Sequence, residues 1–441
     1  MYLHKKNIKV YYHLVLLDNR IGNISRLKGI NTMSATKSKN EKYRKKRKKK
    51  RLKITLLVIE GLVLLLAIAG VSIFLMPNSK AFLVKTFTKC PAGQSLLKSL
   101  YKEDYDKNVL DTSMDEDKIE TVDLGEGYTN IALFGIDPRL GEFDDGTHTD
   151  TIMIVSINNK THDVRLISLY RDTLLRMTTT DGEIDYEKAN SAYFRNGAEG
   201  ALNMLNNNLD LDITEYALVN FQGLATIIDA LGGLDINISG EEAFYINGYL
   251  TETRKITGMD APDVTESGLV HLSGLQATAY CRIRYTTYTD ENGNEYNNDY
   301  GRTARQRNVL NKLLEKAKTA GVSQLLDVAD TVIKKNNVNG EKILSTNIKW
   351  DRIVDLLTVA VDCRLVETNG FPYDVHTPEK GKAYYGYVIP MGLEQNVIRL
   401  HQALFPDKPY TPSSLVTRIN DYIIDETGIY PPKENTSESN E

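Results

Sequence analysis

Cysteine is scarce in this chain. The 441 residues contain three, Cys90, Cys281 and Cys363. Their spacing outlines neither a disulfide framework nor a zinc site. An exported domain could pair two of them; taken singly, each reads as a small buried hydrophobe. The seven histidines are scattered without ligand spacing, which argues against a His-based metal centre. No internal repeat is visible, so solenoids and propellers are set aside. Acidic residues are nearly missing from the first 53 positions, where 18 Lys/Arg face only Asp18 and Glu41. The rest of the chain holds 36 basic and 56 acidic residues. A basic head on an acidic body reads as two compartments. With 41% hydrophobic and 25% charged residues, the chain has an ordinary composition for burying a core.

One long apolar run is present, ITLLVIEGLVLLLAIAGVSIFLM at 54–76, with Glu60 its single charge. At about 1.5 Å per residue it spans roughly 30 Å of hydrocarbon. A core helix of this length normally carries a polar stripe, and a cleaved signal has a shorter apolar run and a small-residue cleavage site. The run therefore predicts one N-terminal transmembrane helix. Just before it, KYRKKRKKKRLK places ten basic residues in twelve, and such a flank stays on the cytoplasmic side. Residues 1–53 are then a cytoplasmic tail, and the acidic body is extracellular. The tail is too short and unpatterned for a DNA-binding domain, so no nucleic-acid partner is expected. Met33 opens a Ser/Thr/Lys/Asn-rich leader. If translation starts there, residues 1–32 are absent from the protein, and N-terminal peptide sequencing that found them would exclude this.

The polar, acidic stretch 77–126 reads as an extracellular stalk. From 127 to about 410 the pattern is that of an α/β domain: a central mixed sheet flanked by helices. Apolar runs at 130–136, 151–158, 164–170, 215–221 and 234–238 read as strands, the second and third joined by a hairpin-like turn. Helices are expected at 198–208, 223–231, 274–279, from near 302, at 323–335, 350–361 and 393–404. YCRIRY at 280–285 reads as a strand with Arg282 and Arg284 on one face, and 383–390 as a last strand. Residues 411–441 read as a tail.

Asp137 follows a buried strand and Asp150 precedes the next. If those strands are neighbours, the two carboxylates share a rim, where they would suit a magnesium ion; ordinary Asp turn chemistry is the competing explanation. Arg171 and Asp172 stand at another strand end, as a site or as a surface ion pair. Arg282 and Arg284 need anionic partners, supplied by substrate phosphate or by internal acids. On the next helix, Arg302 and Gln306 extend the buried stripe of Val309, Leu310 and Leu313, at a terminus that favours anions. Arg305 and Arg307 fall off that stripe and are expected to be solvated.

The stretches NIALFGIDPR, TDTIMIVSIN, LISLYRDT, KANSAY, YALVNFQGLATIIDALGGLDI, HLSGLQATAYCRIRY and DYGRTARQR occur in order between about 128 and 314. Together they resemble the LytR-CpsA-Psr family of cell-wall glycopolymer ligases, with weaker likeness to about 405. The resemblance implies an α/β domain with a long apolar pocket for a polyprenyl chain. It implies a membrane-anchored phosphotransferase of a Gram-positive bacterium, moving a glycopolymer from a polyprenyl-pyrophosphate carrier to a muramic acid hydroxyl of peptidoglycan. It further implies Mg2+ or Mn2+ on Asp137 and Asp150. Pyrophosphate would be held by Arg171, Arg282, Arg284, Arg302 and Gln306, with Asp299 as the base for the acceptor and Arg171 also catalytic. Whether the polymer is a teichoic acid or a capsular polysaccharide is not written in the chain. There are two departures: the link from Arg284 to Asp299 is longer than usual for the family, and YRDT replaces PRDT. A non-catalytic polyprenyl-lipid-binding regulator and a polyprenyl-pyrophosphate phosphatase are the rival functions.

Overall fold

The computed structural model describes residues 91–137, 147–336 and 341–433. The basic tail, the start at Met33, the expected span at 54–76 and Cys90 lie outside the described residues. Among those described, no helix is long and apolar enough to cross a membrane.

Helices α1 (Pro91–Ser99) and α2 (Lys102–Asn108) come first. Strands β1 (Tyr128–Ile136), β2 (Thr149–Asn158) and β3 (Asp163–Leu169) follow. Next are the hairpin β4 (Leu174–Thr178) and β5 (Ile184–Lys188), helix α3 (Ser191–Leu209), β6 (Glu215–Val219) and α4 (Phe221–Ala230). Then come β7 (Leu234–Ile238), α5 (Gly240–Thr257), β8 (Gly268–Leu272) and α6 (Gly274–Tyr280). A small hairpin, β9 (Tyr288–Thr289) and β10 (Glu295–Tyr296), leads into the long helix α7 (Asn298–Lys335). The chain closes with β11 (Leu344–Thr346), α8 (Trp350–Ala360), β12 (Arg364–Phe371), β13 (Val375–His376), β14 (Ile389–Pro390), α9 (Leu393–Leu404) and α10 (Ser414–Thr427).

The central sheet has the order β11-β6-β1-β2-β3-β12. It is mixed: β1–β2, β2–β3 and β6–β11 are antiparallel, while β1–β6 and β3–β12 are parallel. The ends of β1, β3, β6 and β12 and the start of β2 therefore meet at one rim. Period-two alternation sorts the side chains between two faces. Ala132, Phe134, Ile136, Ile152, Ile154, Ile167 and Leu218 join the main core, packed with Leu202 and Leu205 of α3, Val397 and Leu400 of α9, and Val416 and Ile419 of α10. A second core joins Ala225, Ile228, Ile246, Leu250, Leu275, Ile283 and Val309 from α4 to α7. Here α4 and α6 touch so closely that a Cβ on Gly274 would lie 2.0 Å from the Ala225 carbonyl, which only glycine permits.

Several expectations need correction. Residues 280–285 form no strand: after the capping box of Ser273 and Gln276, the amides of Arg282 and Ile283 donate to the Ala279 and Tyr280 carbonyls in turns. Arg282 and Arg284 are thus carried by a loop. The stretch read as a stalk is folded from Pro91 on, with Leu97, Tyr105 and Val109 packed around buried Trp350. The stretch read as a tail contains α10, whose apolar face completes the main core. Only Ile389–Pro390 of 383–390 is strand; Tyr384 and Gly386 there have positive φ, which breaks an extended run. Helix α3 starts seven residues early and kinks at Gly197 (φ 58°), and α7 runs from Asn298 through a kink at Gly321.

Candidate functional site

Asp137 stands directly after β1. Across from it, the β1–β2 register jumps from Gly135↔Thr151 to Ile136↔Thr149. Asp150 is the extra residue of this bulge, a device that re-aims a side chain at a sheet edge. Two residues past β3, Arg171 donates to the Asp150 carboxylate. Its Nε lies 3.8 Å from Asp299 and 3.7 Å from Asp172.

From the other side, Arg282 donates to Thr253 Oγ1 (2.8 Å) and to Glu252 (2.6 Å) on α5. Its Nη2 is 3.7 Å from Asp137. The guanidinium lies over Phe221 (4.6 Å) and Tyr249 (5.2 Å), and these two cation–π faces fix its plane. Arg284 Nε is 3.6 Å from Asp299. Arg302, in the first turns of α7, donates to the Asp150 carbonyl (2.6 Å), and its Nε is 3.3 Å from Asp299. Gln306, one turn on, donates to the Cys281 carbonyl (3.3 Å).

All eight candidate residues, Asp137, Asp150, Arg171, Arg282, Arg284, Asp299, Arg302 and Gln306, thus converge at one rim. The internal acids and the turn are both real: each arginine has a carboxylate neighbour. Burial would raise the Asp150 carboxyl, but Arg302 and Arg171 outweigh it and hold it below its usual value. Burial pulls the Arg302 guanidinium down, against Asp299 and Asp150. Cys281, beside the rim, is a free buried thiol pushed by burial to about 12; it acts as a small hydrophobe, as does free, buried Cys363.

The rim opens into a cavity of about 500 Å³ between the second sheet face and helices α4, α6 and α7. Its apolar walls include Leu133, Met153, Leu224, Ile227, Leu310 and Leu313; its polar lining includes Asp137, Asp150, Arg282, Arg284, Arg302 and Gln306. Leu133, Gly135, Ala217 and Val219 line it, alternating with main-core Ala132, Phe134, Ile136 and Leu218, of which Phe134 and Ile136 also border the cavity. Sequence reading missed the roles of Phe221, Tyr249, Glu252 and Thr253. The signal for α5, the capping pair Ser239 and Glu242, was available in the sequence.

The two anticipated solvated arginines are buried. Arg305 is 0% exposed and Arg307 6%. Arg305 is held by Glu242 (2.8 Å) and by the carbonyls of Ile283, Thr286 and Thr287, so it ties α5 and the Arg284 loop to α7.

Comparison with known proteins agrees with this architecture. The model of the LytR_cpsA_psr family matches residues 98–389. The polyisoprenyl-teichoic acid--peptidoglycan teichoic acid transferase TagU of Bacillus mycoides (strain KBAB4) is 29% identical over 302 residues, covering 67% of this chain and 86% of that protein. The biofilm regulatory protein A of Streptococcus mutans is 30% identical over 223 residues, covering 49% of this chain and 51% of that one. The crystal structure of protein gbs0355 from Streptococcus agalactiae superposes with a TM-score of 0.51 at 26% identity, covering 65% of this chain and 90% of that chain. With well over half its length inside the family match, the chain belongs to the LytR_cpsA_psr family.

Proposed function

We propose that the chain is a phosphotransferase that moves a glycopolymer from a polyprenyl-pyrophosphate carrier to a hydroxyl of peptidoglycan. One observation carries this: a deep apolar cavity and a guanidinium–carboxylate rim form one continuous space. The cavity suits an isoprenoid tail, where each buried five-carbon unit is worth about 4 kcal/mol. The rim suits the pyrophosphate. The relative TagU is named for transfer of a polyisoprenyl-linked teichoic acid to peptidoglycan, which supports the same class of substrate.

In the transfer, the acceptor hydroxyl attacks the glycan-side phosphorus and gives its proton to Asp299. The new O–P bond forms as the bond to the carrier phosphate breaks, and polyprenyl phosphate leaves. Arg171, Arg284 and Arg302 hold Asp299 in place, and a positioned base contributes about 10²–10⁴ in rate. Negative charge grows on the departing phosphate, where Arg282, Arg302 and the start of α7 stabilise it.

Mg2+ or Mn2+ fits the oxygen-only donor set of Asp137 and Asp150. Among the described residues no group of three metal-ligating side chains exists, so substrate phosphate oxygens would complete the shell, as is usual for this ion. Charge supports the assignment: Asp137, Asp150, Asp299 and Glu252 already balance the four arginines, and Asp172 pairs with Lys188 (3.0 Å), so added pyrophosphate needs a further cation. Bound there, the ion would neutralise phosphate charge. The apolar run at 54–76 and its basic flank support a single-pass anchor with the catalytic domain outside the cell membrane.

The test mixes the full chain with a polyprenyl-pyrophosphate glycan, peptidoglycan and magnesium. Covalent attachment of glycan to peptidoglycan is expected. Release of free glycan phosphate alone assigns a phosphatase. Lipid binding with neither product assigns a non-catalytic regulator, in keeping with the name of the Streptococcus mutans relative.

A further inference from the structure

Arg305 and Arg307 lie two residues apart on α7, and both are more than nine-tenths buried. Arg305 has a carboxylate and three carbonyls. Arg307 has neither: its Nη1 has no hydrogen-bond partner, and among the described residues no carboxylate lies within 4 Å of it. The guanidinium lies 6.0 Å from the centre of the Tyr296 ring. An unpaired buried cation is expensive to hold, and burial indeed pulls the Arg307 guanidinium below its usual value.

Arg307 lines a small cavity of about 110 Å³, separate from the one described above. Its other walls include Tyr288 and Tyr296 of the β9–β10 hairpin, Asn308 and Asn311 of α7, and Thr368 of β12. The hairpin is the long link between Arg284 and Asp299, so the added residues build this cavity. Two acids also line it. The Asp290 carboxylate is consumed by the hairpin: Oδ1 accepts from the backbone amides of Asn292 (2.9 Å) and Asn294 (2.8 Å), and Oδ2 from Asn294 Nδ2 (2.9 Å) and the Tyr296 hydroxyl (3.3 Å). Glu291 is exposed and sits 3.7 Å from Lys312. What remains is one fixed cation beside Tyr288, Asn311 and Thr368, in a space of about 110 Å³ that admits a carboxylate or phosphate group.

We propose that this cavity is an accessory anion site that takes one carboxylate or phosphate group, with Arg307 as its anchor. On α7, position 307 lies about 140° around the helix from Arg302 at five residues' spacing, so the site faces away from the rim and binds its anion independently of the transfer chemistry.

The test is a titration of the full chain with inorganic phosphate and, separately, with acetate, in an Arg282→Ala background that weakens the rim. Saturable binding is expected, and adding Arg307→Gln removes one site or weakens it at least tenfold. Asn311→Ala, at a half-buried position of α7 that keeps a good helix former, weakens the same binding severalfold. Binding of phosphate without acetate assigns the site to a polymer phosphate; binding of both assigns it to a carboxylate as well. No saturable binding of either anion, or equal stoichiometry and affinity with Arg307 and with Gln in its place, overturns the site.

Discussion

The two faces of the central sheet are built from alternate residues of the same strands, yet they end differently. One face is closed: Phe134, Ile152, Ile154 and Ile167 are sealed beneath α3, α9 and α10. The other is hollow, with Leu133, Met153 and Ala217 looking into a cavity of about 500 Å³ under α4, α6 and α7. The closed face holds the fold together, and the hollow face leaves apolar walls for a ligand. The charged rim marks where the hollow ends.

Substitutions should separate the two. Phe134→Ala, on the closed face, should lower stability by about 3–5 kcal/mol, read by denaturant unfolding; a loss below 1 kcal/mol would mean that this face is not the main core. Arg282→Ala, at the rim, should cut transfer by about 10²–10³-fold with a nearly unchanged unfolding midpoint; retained activity would remove Arg282 from the pyrophosphate-holding set. Leu313→Trp, which fills the hollow, should raise the KM for a long isoprenoid carrier about tenfold; because Leu313 packs on two apolar clusters, the stability loss should stay at about 1–3 kcal/mol. The smallest effect is a pH response on the closed side. His401 is buried, stacked on Tyr410 at 3.5 Å, and bonded to the Leu209 carbonyl. Burial lowers it below 6.5 in the folded state. Stability from the neutral ring is therefore full above pH 6.5 and is lost as pH falls below it. His401→Gln should flatten that slope in thermal unfolding; an unchanged slope would assign it to other groups.

Strands β1, β2 and β3 were legible as short apolar runs bounded by turn residues, with a tight turn between the second and third. Asp137 and Asp150 share a rim only if β1 and β2 are neighbours, a condition that the antiparallel pairing in the structure meets. The loop at 280–285 was not legible, because two tight turns after a capped helix bury Cys281 and Ile283 and leave Arg284 half-exposed, and a strand alternates in the same way. Burial of Arg305 was also hidden, since its partner Glu242 lies 63 residues away. The packing of α1 and α2 on Trp350 escaped notice for a similar reason: their surfaces are polar and only a few side chains dock.

The division of labour between faces is tested most directly by transfer kinetics with two carriers that differ only in isoprenoid length. If the hollow holds the tail, shortening the carrier raises KM steeply in the unaltered chain and only slightly in Leu313→Trp, with kcat similar throughout. Equal KM values for long and short carriers in the unaltered chain would contradict a lipid-holding cavity.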